Sequence, residues 1–385
     1  MAYAEGRVYC DADSHLMELP DFLSAHAAPG LAEKLPDLVT RGNRIEGVDV
    51  GGFDGAAGHP DEVVEALVAL GDSLLKGPKW HGALGSFNGA ERAKALDLLG
   101  FEQQMVFSSL CASTIFEADD LDVLYGGCEA HNRAMAAFCA ADSRLCGVGL
   151  LALDAPDRAL DEIARACDLG LKALWIPASA PGGRSPGHVA HDPIWAALAD
   201  SGIPFILHVG SGPLQIGTDW MNDGHPERTS ARGGAEVIGS KDFTVIYQPA
   251  ERFISVLVLD GVLDRFPNLR GGVIEMGAGW VPEMIRRLDD AAQIWGRTET
   301  HLAEMQRRPS EQIRAQLRFT PYPFEDVGRM IRESAPELYM FSSDYPHAEG
   351  GRDPLGRFER SLEGFDEAVK QRFFAGNFAD LFSAL

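Results

Sequence analysis

What the chain has little of narrows it first. Among 385 residues there are six cysteines, Cys10, Cys111, Cys128, Cys139, Cys146 and Cys167, with no CxxC pair, each in or beside an apolar segment. That usage predicts buried, reduced thiols rather than a disulfide framework. Basic residues are scarce, 34 against 57 acidic ones, for a formal charge of −23. Such a field repels nucleic acid and anionic membrane surfaces and favours solubility. It says little about substrate, because a bound cation reverses the sign locally. No apolar run approaches a membrane span, and the first residues lack the basic start and apolar stretch of a signal peptide. A cytoplasmic protein with no membrane partner is expected. There is no Ser–His–Asp motif and no nucleotide fingerprint, and the Gly182-Gly183 and Gly233-Gly234 pairs lack the pattern around a phosphate loop.

What is present is a rhythm. A hydrophobic content of 45% can fill a large core. Short apolar runs at 8–13, 104–109, 146–153, 172–176, 203–209, 269–275, 317–320 and 338–343 read as eight strands. Helical patterns at 91–100, 156–169, 192–201, 251–265, 281–294 and 325–334 fall between them, with Pro193 suited to a first helical turn. Alternation of this kind makes a parallel sheet, and eight units make an α/β fold of the (β/α)8 TIM-barrel type. The whole chain, 1–385, is expected to be one domain. Two polar, glycine-containing segments interrupt it, near 20–88 (with a helical patch at 62–75) and near 210–242. Connections this long are expected to form a cap over the C-terminal face of the barrel, where they shape a substrate pocket.

Acids and imidazoles stand at the strand ends. Asp13 and His15 are two apart, and residues two apart in a strand share a face. His208 ends the fifth expected strand and Asp344 follows the eighth. A lone strand-end His is commonly a hydrogen-bonded loop residue, and a lone Asp a helix cap. Four such residues at one end of one barrel point instead to a divalent metal site, since such an ion takes imidazole nitrogen and carboxylate oxygen.

The residues that carry this reading also resemble a known family. Asp13-Ser14-His15-Leu16-Met17-Glu18, Ile206-Leu207-His208 and Ser342-Ser343-Asp344-Tyr345-Pro346-His347 are similar to the amidohydrolase-related branch of the amidohydrolase superfamily, home of the aminocarboxymuconate-semialdehyde decarboxylase-like enzymes. Leu263 to Leu269 and Gly376-Asn377-Phe378-Ala379 share the resemblance. It implies that Asp13, His15, His208 and Asp344 bind the metal and that Asp344 also shuttles a proton with the bound water. One position departs. Where the decarboxylases of that branch carry a histidine followed by glycines, this chain has Glu275-Met276-Gly277. Glu275 is a general base, a fifth ligand, or a cap for the helix beginning near Trp280. His347 is a catalytic or substrate-binding candidate, and with Glu18 and Glu275 it raises the option of a second ion.

The expected activity is metal-dependent hydrolysis of a small carboxylated, cyclic or aromatic substrate through a metal-bound water. Zinc is the expected ion, with manganese and iron as alternatives. Non-oxidative decarboxylation is the second reading and a di-iron oxygenase the third. Trp175, Trp220, Trp280, Tyr322 and Phe324 are candidates to line the pocket, and Arg184, His188 and His191 are weaker ones. By analogy with related barrels a homo-oligomer is expected.

Overall fold

The structure, a computed structural model, describes residues 2–210, 216–225 and 238–382. Much of the expected cap segment near 210–242 lies outside the described residues. Seven of the eight expected strand positions carry a ladder, the first in two pieces. These are β1 (Cys10–Asp11), β2 (His15–Leu16), β3 (Gln103–Ser108), β4 (Leu145–Leu150), β5 (Ala173–Trp175), β6 (Phe205–His208), β7 (Gly271–Ile274) and β8 (Leu317–Phe319). All pairings are parallel and follow chain order, from β1 and β2 on β3 round to β8. The fold is a (β/α)8 barrel.

The eighth position is a correction. Residues 338–343 were expected to form a strand, and they run extended between β8 and β1 without a regular ladder. Met340 N–H donates to Phe319 O and Ala12 N–H to Phe341 O, which closes the barrel on both sides. Phe341 N–H turns instead to Phe373 O in the C-terminal segment, and Ser343 N–H to the Asp11 carboxylate. Each diversion removes one rung a ladder would need.

The first strand is also broken, for a related reason. Cys10 faces Gln103 but His15 faces Phe107, five steps on one chain against four on the other. The extra residue is a β-bulge, which re-aims side chains at a barrel rim. Asp13 sits inside it.

The helices form an outer layer. Gly89–Leu99 starts on an Asn88 cap that accepts Glu91 N–H, and Pro156–Asp168, Asp192–Ser201 and Val281–Trp295 carry proline in their first turns. The apolar run expected as one helix over 251–265 is two, Gln248–Leu259 and Val262–Arg265. They are divided at Gly261, whose φ of 72° no helix accommodates. The patch at 62–75 likewise divides into Asp61–Val68 and a 3-10 turn, Gly71–Lys76. A 19-residue helix, Leu121–Cys139, was not anticipated from the pattern; Asp120 caps it and it buries Leu124, Cys128, His131 and Met135. Five of the cysteines are buried or half-buried as expected, but Cys167 is exposed at the end of Pro156–Asp168. No helix among the described residues is long and apolar enough to cross a membrane.

The segment before Gly89 folds over the C-terminal face. Trp80 N–H donates to Pro346 O, and the Tyr345 hydroxyl donates to Leu84 O. His59 ties this segment together: Nδ1 lies 2.7 Å from Glu91 Oε2 and Nε2 2.8 Å from the His81 carbonyl oxygen. Burial works against a charged imidazole there, but Glu91 and the His81 carbonyl outweigh it and raise the His59 pKa above its ordinary 6.5. The linked stability is therefore fully present below pH 6.5 and fades as pH rises through the raised value. Hydrogen exchange, corrected for intrinsic rate, is expected to show protection of residues 81–86 declining as pH rises from about 6.5 through that raised value. In Glu91→Gln the protection should be lower and nearly flat with pH; an unchanged wild-type slope would assign the effect to another group.

Candidate metal centre

The bulge, the ends of β6 and β7, and the closing segment deliver six side chains to one point. Asp13, His15, His208, Glu275, Asp344 and His347 are all buried. His15 Nε2 lies 3.3 Å from Asp13 Oδ1, 3.6 Å from Asp344 Oδ1 and 3.8 Å from Glu275 Oε2. His208 Nε2 lies 3.4 Å from Asp13 Oδ1 and 3.3 Å from Glu275 Oε2. His347 Nδ1 is 3.0 Å from Asp344 Oδ1, and its ring stacks on His15 with centroids 3.9 Å apart.

The hydrogen bonds behind these groups fix which atom points inward. His15 Nδ1 is 3.3 Å from Ser108 O and His208 Nδ1 2.9 Å from Val209 O. A carbonyl oxygen only accepts, so both Nδ1 atoms carry a proton and both Nε2 atoms face the centre, where each can offer a lone pair to an ion. His15 Nε2 is buried and makes no hydrogen bond of good geometry. Two atoms held ~2.1 Å from one ion at ordinary ligand angles lie ~3.0–3.4 Å apart, close to the spacings seen here. Lone pairs facing carboxylate oxygens in a dry pocket repel unless a cation sits between them. The donor set therefore fits a divalent cation.

The electrostatics of these side chains point the same way. Burial, with the adjacent His347, pushes His15 down to about 3 and keeps it neutral. Burial lifts Asp344 to about 7, although His347 works against it. A cation would draw such a carboxylate back down.

Two of the six converging residues have a left-handed backbone. Glu275 and Asp344 both have φ of 55°, unusual for residues with a Cβ. Glu275 N–H is held by Thr320 Oγ1, and the Tyr322 hydroxyl donates to Glu275 O. These bonds rotate its carboxylate into the barrel. The alternative reading of Glu275 as a helix cap is corrected: the helix Val281–Trp295 has no side-chain cap, and Glu325 instead braces the loop before it, accepting Ala278, Gly279 and Tyr322 N–H.

A second layer locks the N-terminal strand. Fully buried Arg92 donates to Gly85 O (2.7 Å), Gln104 Oε1 (3.1 Å) and, in a short bond, His15 O. Asp11 accepts from Gln104 Nε2, Ser343 N–H and Ser343 Oγ, so one carboxylate spans β1, β3 and the closing segment. Neither residue was singled out from the sequence, and a buried Arg one helix away from a strand-end pair leaves no pattern there. Glu18 accepts Ser109, Leu110 and Cys111 N–H and so braces the loop after β3.

The aromatic candidates separate. Trp175 and Phe107 pack on the His208 ring at 4.7 and 4.4 Å. Tyr322 stacks on exposed Phe324, Trp280 packs on Tyr247, and Trp220 is exposed. Arg184 and His188 are exposed, while His191 is buried with Nδ1 3.1 Å from Ser185 O. Trp80, which the sequence reading passed over, reaches the site: its ring lies 5.0 Å from His347 and its own φ is 55°.

Known proteins add to this geometry. A family model described as Amidohydrolase matches residues 103–383. No curated relative matches the chain by sequence. Among solved structures, an amidohydrolase, map2389c, from Mycobacterium avium subsp. paratuberculosis K-10 is similar at a TM-score of 0.75 and 22% identity, covering 99% of this chain and 100% of the other. The 5-carboxyvanillate decarboxylase LigW from Sphingomonas paucimobilis is similar at 0.63 and 19%, covering 99% and 100%. A 5-carboxyvanillate decarboxylase from Novosphingobium aromaticivorans DSM 12444, complexed with manganese and 4-hydroxy-3-methoxy-5-nitrobenzoic acid, is similar at 0.64 and 19%, covering 98% and 96%.

If the cluster takes a divalent cation, binding stabilises the native state by mass action. At 100 times the dissociation constant the gain is about 2.7 kcal/mol. Chelator-treated protein is expected to melt at lower temperature and to recover on adding manganese, followed by scanning calorimetry. Asp13→Asn should abolish the recovery, and an equal shift in that variant would place the ion elsewhere.

Proposed function

Because this chain belongs to the amidohydrolase family, we propose that it is a metal-dependent decarboxylase that removes carbon dioxide, without oxidation, from a small aromatic or cyclic carboxylic acid. The observation that carries this reading is the buried convergence of Asp13, His15, His208, Glu275 and Asp344 on one point, with the Asp344–His347 pair beside it. Similar structures named for aromatic decarboxylation support the choice of reaction. Asp13, His15, His208 and Asp344 would hold the ion. A carboxylate-rich set of this kind suits a hard cation, and manganese in similar structures favours that metal over zinc. When bound, the ion would supply a Lewis acid able to take up charge developing on a substrate oxygen.

The remaining work falls to side chains. As the bond to the carboxylate breaks, its electron pair passes to the substrate carbon and carbon dioxide leaves neutral. Asp344 delivers the proton that carbon then needs, and His347, 3.0 Å away, returns one to Asp344. Trp175 and Phe107 form an apolar wall beside His208, where a neutral product is favoured over a charged carboxylate. Trp175 Nε1 is buried with no hydrogen-bond acceptor among the described residues and offers a donor to a substrate oxygen.

Hydrolysis is the second reading, and Glu275 favours it. Its Oε2 lies 3.3 Å from His208 Nε2, where a carboxylate can take a proton from water without the histidine that the resemblance leads one to expect.

Turnover of hydroxylated benzoic acids in heavy water separates the two. Carbon dioxide release with one deuterium at the vacated carbon is expected; product carrying oxygen from labelled water would replace decarboxylation with hydrolysis. Asp344→Asn should lower kcat by roughly 10²–10⁴-fold with the fold intact by circular dichroism. Trp175→Phe should raise KM several-fold and change kcat less, and an unaltered KM would remove Trp175 from the binding surface.

A further inference from the structure

The chain is poor in basic residues, yet it gathers arginines at the end of the barrel opposite the metal centre. Arg270 immediately precedes β7, and Arg318 lies within β8. Arg318 stands opposite Gly272, which shares a strand face with Arg270 two positions earlier. That face looks outward, since a Cβ on Gly272 would lie 3.7 Å from Leu381 in the helix Asn377–Leu381. The C-terminal segment packed there brings Arg372 and Asp380 to the same place.

The positive charges are poorly matched. Arg270 and Arg318 are only 5% and 4% exposed. Nη1 of Arg270 donates to Pro267 O at 3.2 Å and Leu269 O at 3.4 Å. Nη1 of Arg318 donates to Arg314 O at 3.0 Å and Leu317 O at 2.8 Å. Nε of each is buried and makes no hydrogen bond among the described residues. The edge formed by Nε and Nη2 is thus the part of each group not committed to a carbonyl. Asp380 Oδ2 lies 3.6 Å from Arg318 Nη2, but its 2.8 Å bond goes to Arg372. Burial pushes Arg318 down to about 10; Asp380 opposes the fall, while Arg270 and Arg372 add to it. Burial also lowers Arg270, again with Asp380 opposing. A guanidinium keeps its proton in proteins, so the depression marks charge that the fold leaves unmatched.

We propose that Arg270, Arg318 and Arg372 form a binding site for a small tetrahedral dianion of the inorganic phosphate type, under the C-terminal segment. The Nε–Nη2 edge of a guanidinium binds two oxygens of such an anion side by side. A dianion also offsets the surplus that Asp380, and more weakly Glu337, leaves over. The site is separate from the metal centre and does not rest on the decarboxylase reading. A bound anion pins the segment whose Phe373 O holds Phe341 N–H at the barrel's closure.

The test is calorimetric titration of inorganic phosphate into the full chain at constant ionic strength in chloride buffer. One phosphate per chain is expected for the wild type. Arg270→Gln should weaken binding roughly tenfold or more. Asp380→Asn should tighten it several-fold, because a competing negative charge is lost, and a purely structural role for the arginines gives no such gain. Asp380 is half-exposed, so this variant decides the matter if Arg270→Gln does not fold by circular dichroism. Asp13→Asn should bind phosphate as the wild type does, which separates this site from phosphate held at the metal centre. No binding by the wild type, or undiminished affinity in Arg270→Gln, would overturn the site. So would unchanged or weaker affinity in Asp380→Asn, loss of binding in Asp13→Asn, or acetate bound more tightly than phosphate.

Discussion

The hydrogen bond from Asp344 N–H to Asp13 O, 2.8 Å long, is where the two ends of the chain become one site. Around it, His15 N–H reaches Tyr345 O, and Asp11 holds Ser343 by backbone and hydroxyl. Only when the barrel closes along this seam do Asp13 and His15 meet Asp344 and His347. The ordinary ladder is given up there so that side chains can be aimed. Fold and site are therefore a single cooperative object: of the two rungs diverted from the seam, Ser343 N–H is taken up by Asp11 behind the site and Phe341 N–H by Phe373 O in the C-terminal segment.

The second constraint is burial of like charge. Taking several carboxylates out of water costs several kcal/mol each unless opposite charge is supplied. Arg92 supplies some of it behind the strand, where its guanidinium holds His15 O and Gln104 and lies near Asp11. At the centre itself the facing groups are imidazoles, of which burial keeps His15 neutral. Left-handed backbone at Glu275 and Asp344 adds a further cost of about 1–2 kcal/mol per residue. A cluster that is costly in both respects persists because the surrounding hydrogen bonds over-determine it, and ligand binding returns part of the cost.

Much of this was legible in the sequence, for reasons that can be named. Eight apolar runs separated by helical patterns specify the barrel, and an acid or imidazole at a strand end stands out against an apolar background. Asp13, His15, His208 and Asp344 are conspicuous for that reason, and Glu275 because it departs from the resemblance. The bulge between β1 and β2 was not legible: period-two reasoning puts Asp13 and His15 on one face, but it does not see the extra residue that lets both reach the centre. The lost ladder at 338–343 depends on Asp11 and Phe373, 332 and 32 positions away from the residues they engage, and no local pattern encodes such partners. Gly261 was visible as a residue, yet a single glycine inside an apolar run does not by itself say that the helix divides. The helix Leu121–Cys139 escaped because small residues, glycine and alanine, dilute its apolar stripe.

The seam has a consequence for how the protein is made. A ribosome that has released the chain through β6 has already exposed Asp13, His15 and His208, three of the six converging side chains. Glu275 comes later, and Asp344 and His347 later still. Until then the early donors have no partner across the seam and bind a passing ion weakly. If the six side chains hold an ion, tight retention would await the last of them, and a product terminated before Asp344 would be metal-poor before it was recognisably misfolded.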